Sequence, residues 1–305
     1  MERDFLSTSN VIAGVNNNGP AARYDRWLNR YSYLVAFFVL LLLLAGAIVT
    51  SLERPISPVP GAVVPPAAIS FEAWHQFGAL FGGLLIAAEA VWLLKSRKHG
   101  QIARFGWIGL AVFLVEAGLG SLIVLRSLSS LTDILHALLG QVSFAALAAI
   151  TVLTSERWQE GPVLIDDTWR PPLRSLAFVL PAVVLLQIVL GAAFRYRAAS
   201  VLWHILNAMI VLLLILIVSV FLVRQFPTHP SLRPAAIALA GITSTQVFLG
   251  FTTFLMLLLF PENSLAVIIV SVVHVGTGAL TLAATVALSM QIRYNAVDLR
   301  SHNGH

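Results

Sequence analysis

The sequence predicts an all-α membrane protein, with eight transmembrane helices arranged as two pseudo-symmetric four-helix bundles. Three observations carry this prediction. The 305 residues are 58% hydrophobic and only 11% charged, with a mean hydropathy of +0.86, whereas a soluble domain carries about a quarter charged residues. Eight stretches in succession reach the roughly 20 apolar residues that a bilayer-spanning helix needs. A short pattern also returns before each of four histidines, at Leu42-Leu-Leu-Ala-Gly46, Glu116-Ala-Gly-Leu-Gly120, Gln187-Ile-Val-Leu-Gly191 and Gln246-Val-Phe-Leu-Gly250, which points to a helix pair duplicated and duplicated again.

In chain order, residues 1–30 are polar, with Arg3, Arg23, Arg26 and Arg30 and no apolar signal-peptide core, and are expected to form a cytoplasmic N-terminal tail. Spans are expected at 31–51, 72–94, 105–125 and 131–154, then at 175–194, 200–223, 234–260 and 263–291. The stretch 155–174, with Gly161, Pro162 and Pro171-Pro172, reads as a cytoplasmic linker between an N-terminal half (31–154) and a C-terminal half (175–292), and 293–305 as a cytoplasmic tail. Of the 19 Lys and Arg residues, 15 fall on the side of the termini and 4 on the other. Basic loops stay cytoplasmic, so both termini are expected inside a cell membrane (an inner membrane where there are two). The net charge of +5 is read as topology and not as nucleic-acid binding. No Rossmann unit or glycine-rich phosphate loop is present. The absence of cysteine excludes disulfides, thiolate metal sites, covalent c-type haem and protein-ligated iron–sulfur clusters.

Eight histidines are present. His99, His229, His302 and His305 fall in loops or the tail, where a solvated role suffices. His75, His136, His204 and His274 fall one on each even-numbered span, near its outward end. An ionisable group inside a span is costly and marks function by default. Four imidazoles at one depth in an apolar bundle suit axial ligation of haem, two per haem and one haem per half, with zinc the weaker option. The small residues Gly46, Gly120, Gly191 and Gly250, with Gly78, Gly82, Gly276 and Gly278, either leave room for a flat macrocycle or allow close helix packing. Arg126, Arg195 and Arg197 lie at the outward ends of spans, where they either pair with haem propionates or anchor the interface. Glu72 precedes His75 by three residues and Asp133 precedes His136 by three, on the same helix faces. Val201 and Ser271 hold those offsets in the second half, so acid-bearing chemistry is expected in the first half and cofactor holding in the second. Glu116, matched by Gln187 and Gln246, either relays protons or bonds between helices.

Over nearly the whole chain, from Tyr31 to Ile292, the sequence resembles the haem A synthase family. The resemblance rests on Glu72-Ala-Trp-His75, on Leu135-His136-Ala-Leu, on the run from Gln187 through Gly191 to Arg195 leading to Trp203-His204, and on His274-Val-Gly-Thr-Gly. It implies that His204 and His274 hold a haem b cofactor and that His75 and His136 bind the substrate haem O. Glu72 is then the catalytic carboxylate, and the reaction oxidises a methyl group of haem O to a formyl group, giving haem A for terminal oxidases. Implied partners are the lipid bilayer, a haem O synthase, an electron donor and a second copy of the chain. Family members often carry a cysteine pair in the first outward loop, an Arg where Gln76 stands and a His where Tyr196 stands. The residues alone leave two rivals, a quinol-linked di-haem b electron-transfer protein and a transporter or assembly factor without haem.

Overall fold

The computed structural model describes residues 11–12, 25–53, 66–96, 100–124 and 130–297. Eight long apolar helices lie among them: α1 (Arg26–Glu53), α2 (Pro66–Lys95), α3 (Gly100–Val124), α4 (Ser130–Leu153), α6 (Leu173–Arg195), α7 (Val201–Gln225), α8 (Leu232–Leu259) and α9 (Leu265–Asn295), with a one-turn α5 (Glu156–Gln159) between α4 and α6. The expected all-α, eight-span fold is therefore present. Several helices outrun their apolar segments. α1 begins at Arg26 because the Asp25 carboxylate accepts from the N–H groups of Trp27 and Leu28, both at 3.1 Å, an N-terminal cap. α7 and α9 are capped in the same way by Ser200 and Ser264.

The helices pack as two rings, α1-α2-α3-α4 and α6-α7-α8-α9, each closed by contact of its first and last members. The rings meet where α4 and α9 cross, with α1 against α9 and α4 against α6. Exchanging α1–α4 for α6–α9 preserves this contact pattern, as a pseudo-two-fold relation requires. Small residues make the crossing close. Ala279 and Ala283 of α9 belong to the core built by Val35, Ile86, Phe113 and Ile150, and Ala145 of α4 belongs to the core of Leu180, Ile215, Leu222 and Leu288. Lipid tails are as apolar as leucine, so such packing, more than the hydrophobic effect, holds membrane helices together.

The segment expected to be a plain linker is built. Its strand β2 (Leu164–Asp166) pairs antiparallel with β1 (Val11–Ile12) and parallel with β3 (Ala296–Val297), fastening three distant parts of the chain at the end of the bundle away from the paired histidines. Trp158 stacks on Tyr294 with ring centres 4.0 Å apart, and the Tyr294 hydroxyl donates to the Trp158 carbonyl. The Asp167 carboxylate accepts from the N–H groups of Leu173 and Arg174, at 2.7 and 3.0 Å, and so caps α6 from outside the helix. Asp167 is buried, and hydrogen bonds to a charged acceptor contribute about 1.5–3 kcal/mol. Asp167→Ala is accordingly expected to destabilise the protein by about 2 kcal/mol, read as a lower unfolding midpoint in detergent.

His229 corrects the solvated role expected from its loop, Pro227-Thr-His-Pro230, since it is 1% exposed. Its Nδ1 accepts from the N–H groups of Ser231 and Leu232, at 3.2 and 3.1 Å, and its Nε2 donates to the Val163 carbonyl at 3.0 Å. The neutral ring thus starts α8 and ties it to the built segment. Burial holds its pKa below the ordinary histidine value, and Arg157 acts in the same sense, against the opposing effect of the Val163 bond. The fold favours the neutral form, so this stabilisation is complete above about pH 6.5 and is lost as pH falls through the depressed value. Melting in detergent should show a lower midpoint at about pH 5 than at about pH 7.5, and His229→Gln should flatten that difference.

Candidate haem site

A cavity of about 1970 Å³ occupies the other end of the bundle and reaches into both rings. Ordinary small-molecule pockets run about 300–1,000 Å³, so this one has room for ligands the size of macrocycles. His75, His136, His204 and His274 all line it. So do Glu72, Asp133, Val201 and Ser271, the residues three before each histidine, which places that helix face on the cavity four times over.

Each histidine is seated in the same way. A Cβ added to Gly46, Gly120, Gly191 or Gly250 would fall 2.9 Å from the Cε1 of His75, His136, His204 or His274 respectively. The repeated glycines therefore make room for the imidazole ring itself and not for a macrocycle. Gly78 and Gly82 serve helix packing instead, facing Leu42, Phe38 and Phe113. Four residues before the seat glycine, a backbone carbonyl receives the ring. The Nδ1 of His75 lies 3.1 Å from the Leu42 oxygen, that of His136 3.1 Å from the Glu116 oxygen, and that of His204 3.2 Å from the Gln187 oxygen. For His274 the corresponding neighbour is Gln246, with Nδ1 just outside hydrogen-bonding geometry. A carbonyl only accepts, so at His75, His136 and His204 Nδ1 carries the proton and Nε2 keeps its lone pair.

The imidazoles meet in pairs across each ring. His75 and His136 have ring centres 6.4 Å apart at 83°, and His204 and His274 have them 6.3 Å apart at 85°. Two imidazoles bound on opposite sides of one metal put their ring centres about 6.3 Å apart, given metal–nitrogen bonds of about 2.0–2.1 Å. Among the described residues no group of three or more His, Asp or Glu converges on one point. Two protein ligands per site suit a metal that brings its remaining ligands in a macrocycle, and fall short of the protein-built tetrahedral site that zinc prefers.

The surrounding polar groups differ between the halves. Glu116 is 9% exposed, with Oε1 3.5 Å from His136 Nδ1. Its counterpart Gln187 donates from its amide to the His204 ring and accepts from Asn207, so a ligand taking His204 Nε2 must displace that amide. Glu72 is half-buried and accepts from the Gln76 amide at 3.2 Å. Arg195 lines the cavity, donates to the Thr50 carbonyl at 2.8 Å and lies within electrostatic reach of Glu262. Arg197 is exposed, with φ 62°, and is not among the cavity-lining residues. Arg126 lies outside the described residues. The glycine seats escaped sequence reasoning, although the recurring Gly at one offset from a polar residue was their signal.

No protein-family model matches the chain. Among curated proteins it is similar to the protein named Heme A synthase of Exiguobacterium sibiricum, at 27% identity over 186 residues, covering 58% of this chain and 62% of that protein. The chain thus matches less than two thirds of the length of that relative.

Proposed function

We propose that this chain is a haem A synthase-like membrane oxidoreductase, which oxidises a methyl group of haem O to a formyl group and so provides haem A for terminal oxidases. The observation that carries the reading is the pair of bis-imidazole sites, each ring seated on a glycine, in one large apolar cavity. Distant similarity to a Heme A synthase supports it. His204 and His274 would hold a resident haem b, and His75 and His136 would bind the substrate haem O. Bound haem supplies one-electron redox chemistry at its iron.

The chain's own groups do the rest. Backbone carbonyls fix the tautomers of His75, His136 and His204. Of Arg195 and Arg197, Arg195 is the one that lines the cavity, where it would meet a propionate. Glu72 lies one turn from His75 on the cavity wall, with its carboxylate steadied by Gln76, and serves as the base that takes a proton as the methyl carbon is oxidised. The absence of an acid at Val201 and Ser271 leaves the second pair to hold a cofactor. On this reading both termini face the cytoplasm across a cell membrane, as the distribution of Lys and Arg supports, and haem O would come from a haem O synthase.

The test is co-expression with a haem O synthase, followed by pigment extraction and mass analysis. Formyl-bearing haem A or its hydroxymethyl precursor is the expected product. Haem b alone would replace this reading with that of an electron carrier, and purified protein with no Soret band, before or after haem addition, would end both.

A further inference from the structure

The two halves of the cavity extend along different helices, the first further along α2 and α3 and the second further along α6 and α9. Counting from each seated histidine, the wall contributed by α2 continues twelve residues past His75 to Ala87, whereas that of α7 stops seven residues past His204 at Val211. The five extra residues add about 7.5 Å along the helix. The wall from α3 likewise starts at Leu110, ten residues before Gly120, and that from α8 at Thr243, seven before Gly250. The first half therefore carries a slot between α2 and α3 that the second half lacks. Its lining is apolar throughout: Leu80, Gly83, Leu84, Ala87, Leu110 and Leu114.

The slot is open along its side. Leu80, Leu84 and Leu114 line the cavity and are also 67%, 63% and 57% exposed on the membrane face. Sequence explains why the second half is closed at this level. At the registers of Gly83 and Ala87, α7 carries Leu212 and Leu216, and neither lines the cavity. Nearer the histidines, Phe251 stands after Gly250 where Ser121 stands after Gly120. A polar ligand gains nothing from such a slot, whereas a long hydrocarbon chain both fills it and remains continuous with the lipid.

We propose that the α2–α3 slot binds a long apolar substituent of the macrocycle held by His75 and His136, and that it is what makes the first half select a tailed haem and the second a tailless one. This rests on the haem reading above. The tail of haem O, an isoprenoid chain, lies along Leu80, Leu84 and Leu114 with one edge in the bilayer, and substrate enters and leaves sideways between α2 and α3. Outside the slot the tail would lie in lipid that is equally apolar, so the selection comes from close packing along the slot wall and from the lack of matching space beside Leu212 and Leu216.

The experiment uses the full-length protein in nanodiscs with the second pair already loaded with haem b, titrated with haem O or haem b and followed by the Soret band. Haem O is expected to bind the first pair several-fold more tightly than haem b. Gly83→Leu with Ala87→Leu, which imports the α7 residues, should erase that preference while leaving the second half's haem in place. Leu212→Gly with Leu216→Ala, the reverse exchange, should let the second half accept haem O. Equal binding of both haems to the unmodified first pair, or a preference untouched by Gly83→Leu with Ala87→Leu, would overturn the slot and leave the haem reading standing. Failure of either haem to bind at all would overturn the haem reading itself.

Discussion

Gly191→Ala or Gly250→Ala is expected to cost the second half most of its haem while leaving the helix as firm as before, or firmer. The new Cβ would stand 2.9 Å from the Cε1 of His204 or His274, closer than real side chains approach. The imidazole must swing away, which breaks the Nδ1 contact that orients His204 and changes the spacing of the paired rings. Loss of an orienting contact behind a metal-binding histidine lowers metal affinity about 10–100-fold. Alanine is nevertheless the better helix former by about 1 kcal/mol, so a folding defect cannot account for the loss. Gly241→Ala is the control, because nothing lies within 4 Å of its added Cβ. Haem-to-protein ratios and melting midpoints measured together decide the matter, and unchanged haem content in Gly191→Ala and Gly250→Ala would remove the seat from the account.

Glu72→Gln should abolish formation of oxidised haem and leave both haems bound. The substitution keeps the size of the side chain, and its amide oxygen can still accept from Gln76, so the local hydrogen bond survives. What is lost is the ability to take a proton, and general-base catalysis contributes about 10²–10⁴-fold in rate. Product should fall by that factor in extracted pigment, with a Soret band of normal intensity. Normal product from Glu72→Gln would take the base role away from this residue, and Asp133→Asn, on the matching face before His136, would be the next variant to assay.

Much of the fold was legible because lipid imposes a coarse rule: a span must be long and apolar, and eight segments obeyed it. The four cavity-lining histidines were legible for the same reason, as polar groups standing where polarity is costly. Relations across helices were less so. The reciprocal fit of Gly120 and His136 depends on the crossing of α3 and α4, which no spacing along the chain encodes. His229 looked solvated because its neighbours are Pro227, Thr228 and Pro230, and its burial comes from Val163, far away in sequence. The strands β1 and β3, two residues each, carry no periodicity to read.

The small sheet sets an order on biogenesis. Chains are made from the N-terminus at about 5–20 residues per second, so the segment at Val11–Ile12 emerges before any membrane helix, its partner Leu164–Asp166 after four of them, and Ala296–Val297 only after the eighth. The third strand can join only once α9 has been synthesised and has packed against α4 and α1. A ribosome halted earlier leaves Ile165 without Ala296 and Trp158 without Tyr294. The clasp thus distinguishes a chain whose eighth long helix has packed from one in which it has not.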